Sequence, residues 1–169
     1  MLVATVRALM LRELRALRRQ VESYDDEKAL WALPAGLPNS TGTLVLHLAG
    51  NIQHFLGAKM ANTGYVRQRD LEFSRRDVPR TELLREIAAS EAAVELALGT
   101  LDDASLGHAY PEPMPGAVVQ TGEFLVHLAI HLGYHLGQVD YHRRTVTGDT
   151  RSLDAVLLKE LPSIVSAPV

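Results

Sequence analysis

With 169 residues, the chain is long enough to bury a core without covalent crosslinks. Its lack of cysteine excludes disulfides, thiolate metal sites and a cysteine nucleophile. Apolar residues make up 47% and charged residues 22%, the balance of a soluble globular protein, and a net charge of -3 gives no electrostatic reason to expect a nucleic-acid partner. One domain over residues 1–169 is expected. The start does not read as a secretory leader, because Arg7, Arg12, Glu13, Arg15, Arg18 and Arg19 interrupt the apolar run that such a segment needs. No uncharged stretch approaches a membrane span, so a cytoplasmic protein with no membrane partner is expected.

Leu2, Val6, Leu9, Leu14 and Leu17 fall near helical spacing, with arginines on the other face, which predicts an amphipathic helix over 2–24. Trp31 to Asn39 holds two prolines and a glycine and reads as a loop. Ser40 and Thr41 suit the N-cap of a second helix, about 43–61. That helix is apolar on nearly all sides and is expected to be buried, ending at Asn62-Thr63-Gly64 with Gly64 as its left-handed cap. Tyr65 to Pro79 reads as a charged loop. Leu83, Leu84, Ile87, Ala88, Val94, Leu98 and Leu101 mark a third helix, about 81–100. The Pro- and Gly-broken stretch 102–120 cannot be one regular helix. Thr121 suits the cap of a fourth helix, about 122–146, and a short fifth follows at about 152–161; Ser163 to Val169 reads as a frayed tail. Four long helices without a strand pattern predict an all-α four-helix bundle with long loops and a short C-terminal helix.

The chemistry-bearing feature is histidine. Of seven, His127, His131 and His135 recur every four residues on the fourth helix, along one face. His47 and His54 share a face of the second. Adjacent imidazoles one turn apart can converge on one ion, whereas three in a row drift around the axis. One histidine from a facing helix plus an HxxxH pair gives the three protein ligands that a metal site needs, with a position left for water or substrate. From spacing alone the pair is either His131 and His135 or His127 and His131. Satisfied core histidines are the competing reading, although burying several imidazoles costs free energy unless each nitrogen finds a partner. His127, Gln138, Asn51 and Glu123 are candidates to hydrogen-bond the ligand rings, each equally readable as a helix-surface polar group. Gly133 and Gly137 flank His135 and suggest close approach of another helix or a ligand. Trp31 and Tyr65 either line a pocket mouth or cover the core. The arginines of Arg67 to Glu72 either bind an anionic substrate or pin the loop through an Arg–Glu/Asp network, and the network is preferred.

Three stretches then resemble a known family. His127-Leu128-Ala129-Ile130-His131-Leu132-Gly133-Tyr134-His135-Leu136-Gly137-Gln138 resembles the last-helix motif of the DinB/YfiT-like superfamily, the damage-inducible family rather than the polymerase that shares its name. His47-Leu48-Ala49-Gly50-Asn51 resembles its second-helix motif, and Arg67-Gln68-Arg69-Asp70-Leu71-Glu72-Phe73 the following loop in one subgroup. The resemblance implies a four-helix bundle with a divalent metal, zinc or nickel, on three histidines, here His47, His131 and His135, and it implies homodimers. It also implies a small-molecule substrate: some relatives use low-molecular-weight thiols in S-transfer or isomerisation, and others are hydrolase-like. The expected function is a metal-dependent enzyme of transferase or hydrolase type. The alternatives are a non-catalytic metal- or ligand-binding stress-response protein, and a bundle that serves only for dimerisation. The fourth metal position separates the first two: open favours catalysis, while closure by His127 or Glu123 favours a structural or sensing role.

Overall fold

A computed structural model describes residues 1–112, 116–161 and 163–165, so most of the expected tail, 166–169, lies outside the described residues. The helices are α1 (Leu2–Glu22), α2 (Thr41–Ile52), α3 (Arg69–Ser74), α4 (Arg80–Gly99) and α5 (Thr121–Thr147). α2 runs on through a π-helical segment, Gln53–Ala58, and a last α-turn, Lys59–Ala61. Among the described residues there is no strand, only an isolated antiparallel bridge between Ala109 and Gln120. α1, α2, α4 and α5 form the expected bundle. No helix among the described residues is long and apolar enough to cross a membrane.

α1 packs against α4 and α5, and α2 packs against the same two helices. α1 and α2 therefore occupy opposite corners of the bundle, and the connection 23–40 must cross one end of it. It does so through the 3-10 turn Glu27–Trp31. Trp31 closes that end. It is buried against Gly42, where a Cβ would collide with the indole, and its Nε1–H donates to the Val78 carbonyl. Of the two readings of Trp31, the cover over the core holds; Tyr65 is half-buried and lines a surface cleft instead.

The buried stripe of α1 is Val3, Val6, Met10, Leu14, Leu17 and Val21, with spacings of three and four. Leu2, expected inside, is exposed, because the stripe passes through Val3 instead. Arg12 departs from the expected solvent face: it is buried and paired with buried Glu13 at 2.5 Å. Every residue of Thr41–Ile52 is buried, as an all-round apolar helix requires. Its neighbours in the same chain do the covering, so α2 offers no free face to a second copy.

Helix ends follow local chemistry with two departures. Ser40 caps α2 by accepting from the Thr43 N–H, as expected. The second helix ends on Asn62 rather than Gly64, with Asn62 in the left-handed region at φ 52°. Thr121 does not cap α5; it is the first helical residue, and its hydroxyl donates to the His108 carbonyl. The loop 65–79 contains α3, and the short C-terminal helix is a single 3-10 turn, Leu158–Glu160. Past Gly148, the chain is held by fully buried Arg143. Its N–H groups donate to Gln20, Asp140 and the Asp149 and Arg151 carbonyls, and it forms an ion pair with the Asp149 carboxylate.

Candidate metal centre

α2 and α5 face each other, and each presents histidine at the contact. His47 projects from α2; His131 and His135 sit one turn apart on α5, about 6 Å along the axis at 1.5 Å per residue. Each of the three offers a ring nitrogen, and these nitrogens all lie within 4.8 Å of one another. The ring centroids are 5.2 Å apart for His47–His131, 5.2 Å for His47–His135 and 4.6 Å for His131–His135. His47 is buried, while His131 and His135 are half-buried, so the cluster lies near the surface.

Hydrogen bonds decide which nitrogen faces inward. The Nδ1 of His47 is 3.0 Å from Oε2 of Glu72; a carboxylate only accepts, so Nδ1 carries the proton and donates. The Nδ1 of His135 likewise donates to Oε1 of Gln138 at 2.7 Å. Both rings therefore leave Nε2 for the cluster. Nε2 of His47 lies 3.3 Å from Nε2 of His131. Two imidazole nitrogens bound tetrahedrally to one ion at about 2.05 Å would be about 3.3 Å apart. The donor set thus fits a divalent ion of the zinc type in spacing and in chemistry.

The electrostatics favour neutral rings at His131 and His135. Burial, then the neighbouring His135, His47 and His127 rings, lowers the pKa of His131 from 6.5 to about 4. Burial and His47 lower that of His135, against the opposing bond to Gln138. Burial pushes the Glu72 carboxyl upward, but its hydrogen bonds from His47 and Arg67 outweigh that and hold it below the usual carboxylate range. Arg67 grips Glu72 in a two-pronged pair, 2.7 Å to Oε1 and 2.9 Å to Oε2. The arginine-carboxylate network expected in this loop is therefore present, and it reaches a histidine of the cluster.

A family model for the DinB superfamily matches residues 9–139, which hold all three clustered histidines. The chain belongs to the DinB superfamily. Nothing among curated proteins or solved structures matches it. The match stops just beyond Gln138, so it covers α1 from Leu9, all of α2 to α4, and the histidine-bearing part of α5.

The remaining sequence candidates are placed as follows. His127 is exposed and outside the cluster, its ring stacked 5.9 Å from Phe124 and 6.3 Å from His131. Glu123 is exposed and Asn51 is buried; among the described residues no hydrogen bond joins either to a clustered histidine. His54 pairs with Glu112 at 2.9 Å, and Glu112 also takes Lys59. His142 is a satisfied core residue: its Nε2–H donates to the Ala32 carbonyl, and its Nδ1 sits in a triangle with the Tyr24 and Thr41 hydroxyls, one of which donates to it while the other donates to its neighbouring hydroxyl. His108 is exposed. Gly133 and Gly137 do not mark a close approach, because a Cβ on either would meet nothing within 4 Å. The glycine that does so beside the cluster is Gly50, where a Cβ would collide with the Glu72 carboxylate. Glu72 was expected in the arginine network; what the sequence reading missed is its bond to His47, and the missed signal is a glycine inside a buried helix one turn after His47.

Proposed function

We propose that this DinB-superfamily chain binds one divalent ion, zinc or nickel, through His47, His131 and His135, and acts with it on a small molecule. The observation that carries the reading is the trio of ring nitrogens within 4.8 Å, with Nδ1 of His47 and of His135 already committed to oxygen partners. Three imidazoles without a thiolate or carboxylate suit borderline ions such as zinc and nickel rather than calcium or magnesium. When bound, such an ion supplies Lewis acidity, lowering the proton affinity of a coordinated thiol or water. The chain's own part is to hold the three rings in place, with His131 and His135 kept neutral by burial. The depressed basicity of His131 keeps it free of a proton at neutral pH, so metal does not compete with one there.

An enzyme is favoured over a closed structural site because neither His127 nor Glu123 belongs to the cluster. The substrate we propose is a low-molecular-weight thiol, in S-transfer; hydrolysis of a small molecule is the second reaction that the same open position serves. A non-catalytic metal or ligand carrier is the alternative. A second copy of the chain is the proposed partner, and an exposed stripe on α5 with Ile130, Tyr134 and Tyr141 is available to it, unlike α2. The deciding experiment is elemental analysis of untagged protein followed by titration of the cobalt-substituted form with small thiols. One metal per chain and a sulfur-to-metal charge-transfer band support the thiol reading. Metal with no thiol band leaves the carrier or hydrolase, and absence of metal overturns the site.

A further inference from the structure

We infer that Glu72 is the positioning residue of this centre: from α3 it fixes the His47 ring with Nδ1 protonated and Nε2 presented to the cluster. The inference rests on the metal reading above and assigns a role to a residue outside the three-histidine set.

Glu72 is 5% exposed, a depth at which a carboxylate persists only if its oxygens are satisfied. Three donors meet it. Nε of Arg67 binds Oε1, while Nη2 of Arg67 and Nδ1 of His47 bind Oε2. A loop pin needs only Arg67; the third bond goes to the single α2 histidine in the cluster. α2 is also cut away to admit the carboxylate, since only glycine at position 50 leaves room for it. α3 adds a second contact one residue on, with the Phe73 ring 4.9 Å from the His47 ring. His47 is thus held from one side by an acceptor and a ring on α3. A neutral imidazole without that acceptor is free to move its proton to Nε2 or to rotate, and either removes the donor from the cluster. Carboxylates in this relation to a ligand imidazole fix its tautomer and raise its basicity.

Two readouts test this on the full chain. Long-range nitrogen–proton spectra of the metal-free protein at alkaline pH report the His47 tautomer. Competition with a chromophoric chelator reports zinc affinity. Wild type is expected to show Nδ1–H on His47. Glu72→Ala should lose that preference and bind zinc 10- to 100-fold more weakly, and Glu72→Gln, whose amide oxygen still accepts, should recover the tautomer. Should Glu72→Ala fail to fold, the double variant Arg67→Met/Glu72→Leu removes the acceptor while replacing the buried pair with apolar groups of similar size, an exchange that folds commonly tolerate. Wild-type zinc affinity and unchanged His47 tautomer in the folded variant overturn the positioning role. Failure of the wild type to bind zinc overturns the metal reading instead, and the metal-free spectra still report whether Glu72 sets the ring.

Discussion

Three glycines in the helices should respond in opposite directions to the same substitution. Gly133 and Gly137 lie on the exposed side of α5, where an added Cβ meets nothing within 4 Å. Replacing a helix-interior glycine by alanine there should stabilise by about 0.5–1 kcal/mol each, through lower backbone entropy in the unfolded chain. For a chain of this size that is roughly 1–4 °C in Tm per substitution. Gly50→Ala carries the same propensity gain, but its Cβ would overlap the Glu72 carboxylate. Glu72 must then leave, and three charge-assisted hydrogen bonds from Arg67 and His47 are broken in a buried setting. Breaking them should cost about 3–5 kcal/mol, for a net loss of about 2–4 kcal/mol. Urea denaturation of the three single variants, metal-free and followed by circular dichroism, measures all three. A Gly50→Ala protein as stable as the α5 variants would refute the claimed approach of Glu72 to α2. Those gains hold for the single chain; destabilisation by Gly133→Ala or Gly137→Ala would mean that the α5 face is covered in solution, as a second copy on the Ile130, Tyr134 and Tyr141 stripe would cover it.

His142→Ala should destabilise the metal-free protein by roughly 2–4 kcal/mol, since it opens a cavity, strands the Ala32 carbonyl and leaves the Tyr24 and Thr41 hydroxyls only each other, while leaving metal stoichiometry unchanged; urea midpoints and elemental analysis read the two effects separately. Acid should weaken the metal-free fold in two stages. Burial lowers the basicity of His131, His135 and His142 in the folded state, so as pH falls below about 6.5 the unfolded chain takes up protons first and stability drops, for His131 until about pH 4 and by at most about 3 kcal/mol. Glu72 and Asp140, held below their usual values, add stability that is present above the ordinary carboxylate range and is lost as pH falls through their folded-state values. A denaturation midpoint that is flat from pH 7 to 4 would contradict this, and saturating zinc should steepen the decline because protons then also displace the ion.

The bundle was legible because its signals are periodic. Apolar spacing along α1, α4 and α5 locates each helix to within a few residues, and Ser40 marks the start of α2 by a local hydrogen bond. The HxxxH pair was legible for the same reason. What spacing could not decide was which adjacent pair of α5 histidines joins His47. That depends on how far α2 is shifted along α5, a packing property set by the whole core. Glu72 was hidden more deeply. It lies 25 residues after His47 in a charged stretch, and six residues of short helix give too little periodicity to reveal which side turns inward. Its tell was Gly50, since a glycine costs helix stability wherever nothing demands it. The glycines next to His135 drew the inference that belonged to Gly50, because proximity in sequence to a histidine says nothing about which face of the helix is covered.

The histidine trio itself is tested by counting metal in two variants beside the wild type. Purified without a tag and dialysed against trace-metal-free buffer after zinc loading, the wild-type chain should hold one ion. His135→Ala should hold none, and His127→Ala should hold one, because the His127 ring stands outside the cluster beyond His131. Stoichiometric zinc in His135→Ala, with loss of it in His127→Ala, would move the centre one turn along α5 to His47, His127 and His131 and contradict the assignment made here.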